Sequence, residues 1–423
     1  MHSAGIGPTT YSHARDRSRQ MTDSPTIRVA FGSVPKDGGT FTFYRNIRPE
    51  LLKHGIDMRC VSVGREDADL WEAAYADDGC HLLVPDVSNA KRQARAFVDW
   101  CAEERIDIAL GINSFAILSA IPHLPQSVRV MSRCANAFDH GYRITMSRAE
   151  RLARIVALSP RLRDDLIADY GADPDKLVLI PNGHDPAPFD AAAARVRGTG
   201  ARLELGFVGR LEHGQKGVLH IPAILAELDA LGCDYRLRIA GKGRHGDRLR
   251  TELAPHIAAG RVEFLGALGP GEIPDLLGDV DIYLFTSKFE GMPNALIEAM
   301  MAGAVPACFN IEGITDFMVD HDRSGLLVPQ EDAKALAQGI HRLDQDRDHL
   351  RAMSAAVAAT ARERFSSAGT ARAYADLFRA VMAEPAPEWS PKAWSSFTPD
   401  PNFPRTWRRF IPKAVKEAIK SRR

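Results

Sequence analysis

Two glutamates near residue 290 have the clearest capacity for chemistry in this sequence. Glu290 and Glu298 are separated by seven residues, and Pro293 and Gly303 bracket a run of good helix formers. Proline suits a first helical position and glycine a C-terminal stop, so we expect Glu290 in a loop and Glu298 in the following helix. Helical side chains lean toward the N-terminus, where free N–H groups favour phosphates. Two carboxylates beside an anion site suit a sugar nucleotide, because hydroxyls need acceptors and phosphates need donors.

The flanks of this stretch fit the same interpretation. A strand-like run, Asp281 to Phe285, leads into a loop over 286–291, and the helix follows. The segment Glu290-Gly-Met-Pro-Asn-Ala-Leu-Ile-Glu298 resembles the signature of the family-4 retaining glycosyltransferases, which have the GT-B fold. An ordinary strand-to-helix corner with a solvated glutamate is the weaker alternative, because the whole strand–loop–helix context is present.

The composition excludes several other classes of protein. The 423 residues suggest two or three domains, and 54 basic residues against 54 acidic ones argue against a nucleic-acid partner. The six cysteines are scattered without a Cys-x-x-Cys pair, which favours buried thiols in a reducing compartment. No apolar run approaches the ~18 residues of a membrane span.

Alternating strand and helix patterns predict an α/β chain with two parallel, doubly wound sheets. The resemblance implies a GT-B architecture of two Rossmann-like domains facing across a cleft, with the acceptor on the first and the nucleotide-sugar donor on the second. We predict a disordered extension over 1–24, with Met1 or Met21 as the start, and domains over 25–185 and 200–365. A closing helix over 366–383 crosses back to the first domain, and a Pro/aromatic segment with a basic tail covers 384–423.

Candidate cleft residues of the first domain follow its early strands. Gly38 and Gly39 form a glycine loop that allows a ligand close to the backbone, and it resembles the loop that opens GT-B enzymes. The G-x-G-x-x-G fingerprint is absent, so a nicotinamide site is not supported. The family's cleft histidine is replaced here either by Arg133 or by His140, which we place in a polar loop over 136–142. A solvated loop histidine is an equal alternative for His140.

Candidate residues for the sugar donor lie in the second domain. Arg210 and Lys216 stand where the family's Gly-Arg and Lys-Gly steps bind the donor diphosphate, so the resemblance assigns them to the leaving group. It also implies that Glu290 holds donor-sugar hydroxyls and that Glu298 accepts from the ribose diol. The remaining donor-binding candidates are Gly209, Gly241, Gly291, Met292, Pro293 and Asn294.

No metal site is predicted, and no cofactor other than the nucleotide sugar as co-substrate. Asp279 and Asp281 form an Asp-x-Asp triplet of the kind that holds a metal in other glycosyltransferases. Here they flank the start of a buried strand, which favours a structural role. Further along the chain we expect single helices over 218–231 and 351–364.

The function predicted from these residues is retaining, metal-independent transfer of a sugar from a nucleotide-sugar donor to a glycan or lipid-linked acceptor. Cell-surface polysaccharide synthesis, of lipopolysaccharide or exopolysaccharide, is the favoured setting. A nucleotide-sugar epimerase or hydrolase of the same fold is one alternative. A catalytically silent binding protein is another, against which the intact Arg210, Lys216, Glu290 and Glu298 argue.

The C-terminal tail, residues 405–423, is strongly basic. It holds eight Lys and Arg residues against the single acid Glu417, and its apolar residues recur at helical spacing. An apolar stripe with a basic face predicts an interfacial helix, which would place a cytoplasmic protein at the inner face of an anionic membrane. Packing of the same stripe on the enzyme's own first domain is an almost equal alternative.

Overall fold

The computed structural model describes residues 26–35, 38–111 and 114–403. The predictions for the extension over 1–24 and for the tail over 405–423 fall outside these ranges. None of the helices in the described ranges combines the length and apolarity that crossing a bilayer requires.

Two parallel sheets organise the chain. The first has seven strands in the order β3-β2-β1-β4-β5-β6-β7, and the second has six in the order β10-β9-β8-β11-β12-β13. The strands of the first sheet are β1 (Ile27–Gly32), β2 (Ile56–Val63), β3 (Cys80–Leu83), β4 (Ile108–Gly111), β5 (Arg129–Cys134), β6 (Leu152–Ala157) and β7 (Leu177–Leu179). Those of the second are β8 (Leu203–Val208), β9 (Tyr235–Ala240), β10 (Val262–Gly266), β11 (Ile282–Phe285), β12 (Val305–Phe309) and β13 (Leu326–Val328).

Helices connect the strands and cover both faces of each sheet. In the first half they are α1 (Gly39–Lys53), α2 (Arg65–Ala68), α3 (Ala90–Glu103), α4 (Phe115–Ala120), α5 (Asp139–Thr145), α6 (Pro160–Ala168) and α7 (Asp190–Ala193). In the second half they are α8 (His213–Lys216), α9 (Ile221–Ala230), α10 (Gly246–Glu252), α11 (Ala254–Ala258), α12 (Ile273–Gly278), α13 (Asn294–Met301), α14 (Thr315–Met318), α15 (Ala333–Gln345), α16 (Arg347–Arg364) and α17 (Ser367–Ala383). The predicted GT-B fold is confirmed.

The central strands are buried on both faces, as parallel strands between two helical layers must be. Every residue of β4, β11 and β12 is buried. The apolar core forms two clusters. One extends from the first sheet to α13 and α17, and the other fills the face of the second sheet that α9 and α15 cover.

Each sheet has one point where the strand order reverses. In the first sheet β1 pairs with both β2 and β4, and in the second β8 pairs with both β9 and β11. The loops after such a pair of strands diverge and leave a crevice in which ligands bind in open α/β sheets. Gly38 and Gly39 follow β1, Arg210 follows β8 and Glu290 follows β11. The fold therefore gathers the predicted residues at these two points.

The chain crosses back to the first domain after α16. His184 forms a parallel bridge with Ser366, its amide donates to the Phe365 carbonyl at 2.9 Å, and α17 then packs on α1. Residues 384–403, which we call the strap, continue along the first domain without helix or strand, apart from a short 3₁₀ turn at Trp394–Ser396 and a turn at 401–402.

Three predictions about individual elements were wrong. The supposed loop over 136–142 contains the start of α5, which Gly141 permits because a Cβ there would lie 2.8 Å from the Asn136 carbonyl oxygen. The helix expected over 218–231 begins as a 3₁₀ turn, and α9 starts only at Ile221, one residue before Pro222, whose missing N–H suits a first turn. The helix expected from Arg351 begins four residues earlier, because Asp346 caps it by accepting from the His349 amide.

Asp281 has a structural role. Its carboxylate accepts the backbone N–H groups of Gly198 at 2.7 Å and Glu204 at 3.0 Å. The first bond ties the linker between the domains, and the second ties β8, to the residue before β11, which agrees with a structural role for Asp281.

Candidate active site

A cavity of about 290 Å³ lies in the cleft between the two domains. From the first domain it is lined by Gly39, Thr40, Arg133, Ala135, Asn136, Ala137, Phe138, Leu158 and Asn182. From the second it is lined by Arg210, Gln215, Lys216 and the run Phe289–Ala295. We call this cavity the cleft cavity.

The cations and the loop carboxylate form one network on the second-domain wall. Nζ of Lys216 lies 2.6 Å from Oε1 of Glu290, which is 6% exposed. Nε2 of Gln215 donates to Oε2 of Glu290 at 3.2 Å, and Oε1 of Gln215 accepts from Arg210 at 2.5 Å. Gln215 thus links Arg210 to Glu290. The loops after β8 and β11 meet here because the two strands are neighbours in the sheet.

The Lys-Gly step is held by backbone geometry. Gly217 has φ +62°, and a Cβ there would lie 2.0 Å from the carbonyl oxygen of Thr286. The Thr286 hydroxyl donates to the Lys216 carbonyl at 2.8 Å. A side chain at residue 217 would therefore push the Lys216 loop off the loop that carries Glu290.

The loop before α13 touches the first domain. A Cβ on Gly291 would lie 2.1 Å from the carbonyl oxygen of Ala135, so glycine is required where the two domains meet. Pro293 was predicted to be the first residue of the helix, but it is the N-cap of α13, and Asn294 is the first helical residue. Nδ2 of Asn182 in the first domain donates to Oδ1 of Asn294 at 2.8 Å. The free amides at the start of this helix thus lie at the cleft.

Glu298 lies further along α13, beside a buried histidine. Its Oε1 is 3.6 Å from Nδ1 of His184. Burial raises the pKa of Glu298 to about 7 and lowers the pKa of His184 to about 4. Burial also raises the pKa of the neighbouring Tyr283 well above its usual value. His184 and Tyr283 are therefore neutral near pH 7, while Glu298 titrates there.

Arg133 is the buried cation of the first-domain wall. Its guanidinium packs 3.8 Å from the centre of the Phe43 ring and donates to the hydroxyl of Tyr374 at 3.2 Å and to Oδ1 of Asn182. His140 is exposed on α5, and its ring lies 5.8 Å from that of Phe403. Of the two alternatives for the cleft histidine, Arg133 lines the cleft cavity and His140 does not.

Most of the other candidates border the cleft cavity or lie close behind it. Gly291, Met292, Pro293, Asn294 and Gly39 line it, whereas Gly38 lines a neighbouring cavity. Gly209 and Gly241 abut each other behind Arg210, where a Cβ on Gly241 would lie 1.8 Å from the Gly209 carbonyl oxygen. Neither glycine nor Glu298 is among the described residues that line the cavity.

Two site residues were missed in the sequence. Asn182 joins Arg133 to Asn294, and Gln215 joins Arg210 to Glu290. Asn182 stands in the run Pro-Asn-Gly-His-Asp over 181–185, at the end of the first domain. Gln215 directly precedes Lys216 but has no signal of its own.

Each half of the chain matches the model of a known protein family. A model of "Glycosyl transferases group 1" matches residues 202–346, and a model of "Glycosyltransferase Family 4" matches residues 37–188. Together they match more than half of the chain. The chain belongs to the family-4, group 1 glycosyltransferases. The resemblance inferred from the Glu290–Glu298 segment is thus confirmed.

Curated relatives of this glycosyltransferase align over part of their length. A 2-deoxystreptamine glucosyltransferase from Streptomyces kanamyceticus is 30% identical over 204 residues, 46% of this chain and 52% of its own. A putative colanic acid biosynthesis glycosyltransferase, WcaL of Escherichia coli, is 34% identical over 189 residues, 43% of this chain and 45% of its own. The chain therefore matches about half the length of these relatives.

Solved structures share the fold over most of the chain. A glycosyltransferase from Rickettsia africae superposes with a TM-score of 0.71 at 16% identity, covering 86% of this chain and 100% of its own. HepE of Anabaena, solved with UDP, superposes with a TM-score of 0.67 at 17% identity, covering 84% of this chain and 100% of its own. At these identities the likeness establishes the GT-B fold alone.

Proposed function

We propose that this glycosyltransferase moves a sugar from a nucleotide-sugar donor to a carbohydrate acceptor with retention of the anomeric configuration. The observation that carries the proposal is the Lys216–Glu290 pair, which lies at 2.6 Å on the cleft wall with Arg210 and the start of α13 beside it. Cations and free amides suit a diphosphate, and a buried carboxylate suits sugar hydroxyls.

Departure of the diphosphate is the step that these residues would assist. As the glycosidic bond breaks, negative charge grows on the leaving oxygen, and Arg210, Lys216 and the α13 amides lie where they can stabilise it. Glu290 would hold hydroxyls of the donor sugar, and Glu298 would accept from the ribose diol. The acceptor hydroxyl would attack on the face that the diphosphate leaves, and its proton would pass to the departing diphosphate oxygen. In this proposal positioning and leaving-group electrostatics supply most of the rate.

A buried arginine on the opposite wall has a place in this scheme. Arg133 is fixed by Phe43, Tyr374 and Asn182, so its charge is held in one position. It faces the same cavity as Glu290 from the first domain. We propose that Arg133 stands in the cleft in place of the histidine that other members of the family carry there.

Relatives and structural neighbours support particular substrates for the first assays. HepE was solved with UDP and with UDP-glucose, and a pneumococcal O-GlcNAc transferase with UDP and GlcNAc. UDP-sugars are therefore the first donors to test. WcaL supports a place in the synthesis of a cell-surface polysaccharide. Docking of the tail on an anionic membrane stays a prediction from its sequence.

Donor screening tests this proposal directly. UDP, GDP and ADP and their hexoses should be compared by thermal shift, since a ligand at 100-fold its Kd stabilises the folded state by about 2.7 kcal/mol. The best donor should then transfer to a glycan acceptor in EDTA, with a retained configuration by NMR. Loss of activity in EDTA that manganese restores would contradict metal independence. Turnover that needs no acceptor would favour the epimerase or hydrolase alternative.

The affinity for the nucleotide should fall as pH drops below about 7. The carboxylate form of Glu298 accepts from a ribose diol with both oxygens, and protonation leaves one acceptor fewer. With the pKa raised to about 7, only about a tenth of the protein is competent at pH 6, so the Kd of the nucleoside should rise about tenfold from pH 8 to pH 6. Calorimetry with uridine avoids titration of the phosphates. Glu298→Gln should bind more weakly and without this pH dependence; a slope that survives in the variant would assign the titration to another group.

A further inference from the structure

A second cavity of about 290 Å³ opens at the reversal point of the first sheet. Its floor is the ends of β1 and β2 with the starts of α1 and α4, and it shares Gly39 and Thr40 with the cleft cavity. We call it the first-domain cavity. A ligand there would reach the cleft past Gly39, from the first domain, to which the family resemblance assigned the acceptor.

The lining of the first-domain cavity suits a polyhydroxylated ligand. Oε2 of the exposed Glu66 accepts from Nε2 of Gln93 at 3.0 Å, and Gln93, itself 3% exposed, also donates to the Val87 carbonyl at 2.8 Å. Gln93 is thus held in place while the carboxylate keeps acceptor capacity for hydroxyls. The remaining lining residues are Ser33, Val34, Gly38, Thr40, Phe41, Val63, Asp67, Ser114, Phe115, Ala116 and Phe403.

One wall of this cavity comes from the far end of the chain. Phe403 belongs to the strap, and its ring lies 5.5 Å from the ring of Phe115 and 5.8 Å from that of His140. His140, which the sequence suggested as an acceptor-side residue, contacts the cavity only through this ring. The strap therefore joins two parts of the first domain over the cavity.

Two of the places where the strap is fastened to the first domain are closest along the chain to Phe403. At the first, Nδ1 of His123 lies 2.7 Å from the Lys392 carbonyl oxygen, the Lys392 amide donates to the Pro122 carbonyl at 2.9 Å, and the His123 ring stacks on Trp394 at 4.1 Å. These contacts hold the strap on the 3₁₀ turn at Ile121–His123, which follows α4. The strap is thus an ordered part of the first domain over the length that the structure describes.

The second fastening is a buried carboxylate directly before Phe403. Asp400 is 1% exposed; its side chain accepts from the Ser147 hydroxyl and lies 3.9 Å from Arg148, while its amide donates to the Ser119 hydroxyl at 2.9 Å. A buried carboxylate with these partners holds its segment in one place, because moving it would leave polar groups unpaired. Phe403 is therefore held at the cavity.

We propose that Phe403 determines acceptor choice, because the strap closes the first-domain cavity around a carbohydrate acceptor. This inference rests on the proposed function. Sugar rings present an apolar C–H face beside their hydroxyls, so a cavity lined by an aromatic ring together with Glu66 and Gln93 matches both the apolar and the polar parts of such a ligand. Phe403 is then a specificity-determining residue that contributes nothing to the breakage of the donor bond.

The matched variants are Phe403→Ala, Phe403→Tyr and Phe397→Ala. Phe397 belongs to the same strap and packs on His123 and Trp394, but it does not line the cavity. The probes are the methyl glycosides of glucose, galactose, mannose and N-acetylglucosamine, which carry no aromatic group. Binding is followed by saturation-transfer NMR, and transfer is followed at a saturating donor concentration.

Phe403→Ala should raise the KM of the best glycoside about tenfold, or change the order of preference among the four glycosides. The KM of the donor and the rate at which the donor is slowly hydrolysed should stay within twofold of wild type. Phe403→Tyr and Phe397→Ala should resemble wild type. Equal acceptor KM in wild type and Phe403→Ala, or equal effects of both alanine variants, would overturn the proposal. Glycoside binding that depends on Phe403 without any transfer would leave the cavity assignment standing and remove the proposed function. A wild-type protein that binds none of the four at millimolar concentration would overturn the cavity assignment.

Discussion

Glu290→Ala is expected to lower turnover about 10²-fold or more while the fold persists. Glu290 is buried at the cleft, and its two oxygens contact only Lys216 and Gln215 among the described residues. Both contacts can be exchanged for hydroxyls of a donor sugar when it binds. If those hydrogen bonds strengthen as the glycosidic bond breaks, the loss falls on kcat more than on KM, and a factor of 10² corresponds to about 2.7 kcal/mol.

Two further variants separate this role from packing. Glu290→Gln keeps the size of the side chain and can still accept from Lys216, so its Tm should fall less than that of Glu290→Ala, while its turnover falls nearly as far. Glu331→Gln changes a pair of similar length, Lys288–Glu331 at 2.6 Å, on the same domain but with Glu331 half exposed and outside the cleft cavity. It should leave turnover unchanged. Wild-type kinetics in Glu290→Ala would remove Glu290 from the site.

The part of the site that could be predicted from the sequence is the part that local structure determines. The order of strand, loop and helix around Glu290 follows from an apolar run, a glycine and a proline, which act within a few residues of themselves. Arg210 and Lys216 were assigned through the resemblance to the family's Gly-Arg and Lys-Gly steps, and the close approach at Gly217 shows why the loop requires a glycine there. The alternation of strands and helices then determined the fold class.

The missed residues depend on contacts between distant segments. Asn182 acts because the end of the first domain meets the start of α13, and Gln215 because two loops are brought together by the pairing of β8 with β11. Phe403 reaches its cavity through a proline-rich strap that has no periodic pattern, and its position depends on contacts with distant residues, among them those of Asp400 with Ser147 and Ser119. No local signal marks such positions. The helix α5 was missed for a different reason, because Gly141 is a strong local signal for a turn, whereas here it allows close approach to the nearby Asn136 backbone at the start of a helix.

Lys216→Ala is expected to lower kcat/KM for the donor by 10²- to 10³-fold, which is the usual effect of removing one donor from a site of developing negative charge. In the donor-free cleft the ammonium of Lys216 lies 2.6 Å from Glu290. A diphosphate carries more charge than one carboxylate, so it should take over this ammonium and release Glu290 toward the sugar. Lys216→Arg should recover activity only in part, since a planar fork does not replace a compact ammonium.

The double variant Lys216→Ala/Glu290→Ala distinguishes a catalytic pair from a structural one. Each single variant leaves one charge of a largely buried pair without its partner and should lower Tm, whereas the double variant removes both charges and should regain much of that loss. Activity should not return with stability, because the diphosphate and the sugar each lose a contact. Lys288→Ala, which breaks the more exposed pair with Glu331, serves as control and should leave kcat/KM within twofold. Activity that recovers in the double variant along with Tm would mean that the pair only holds the two loops together, and that the diphosphate binds elsewhere.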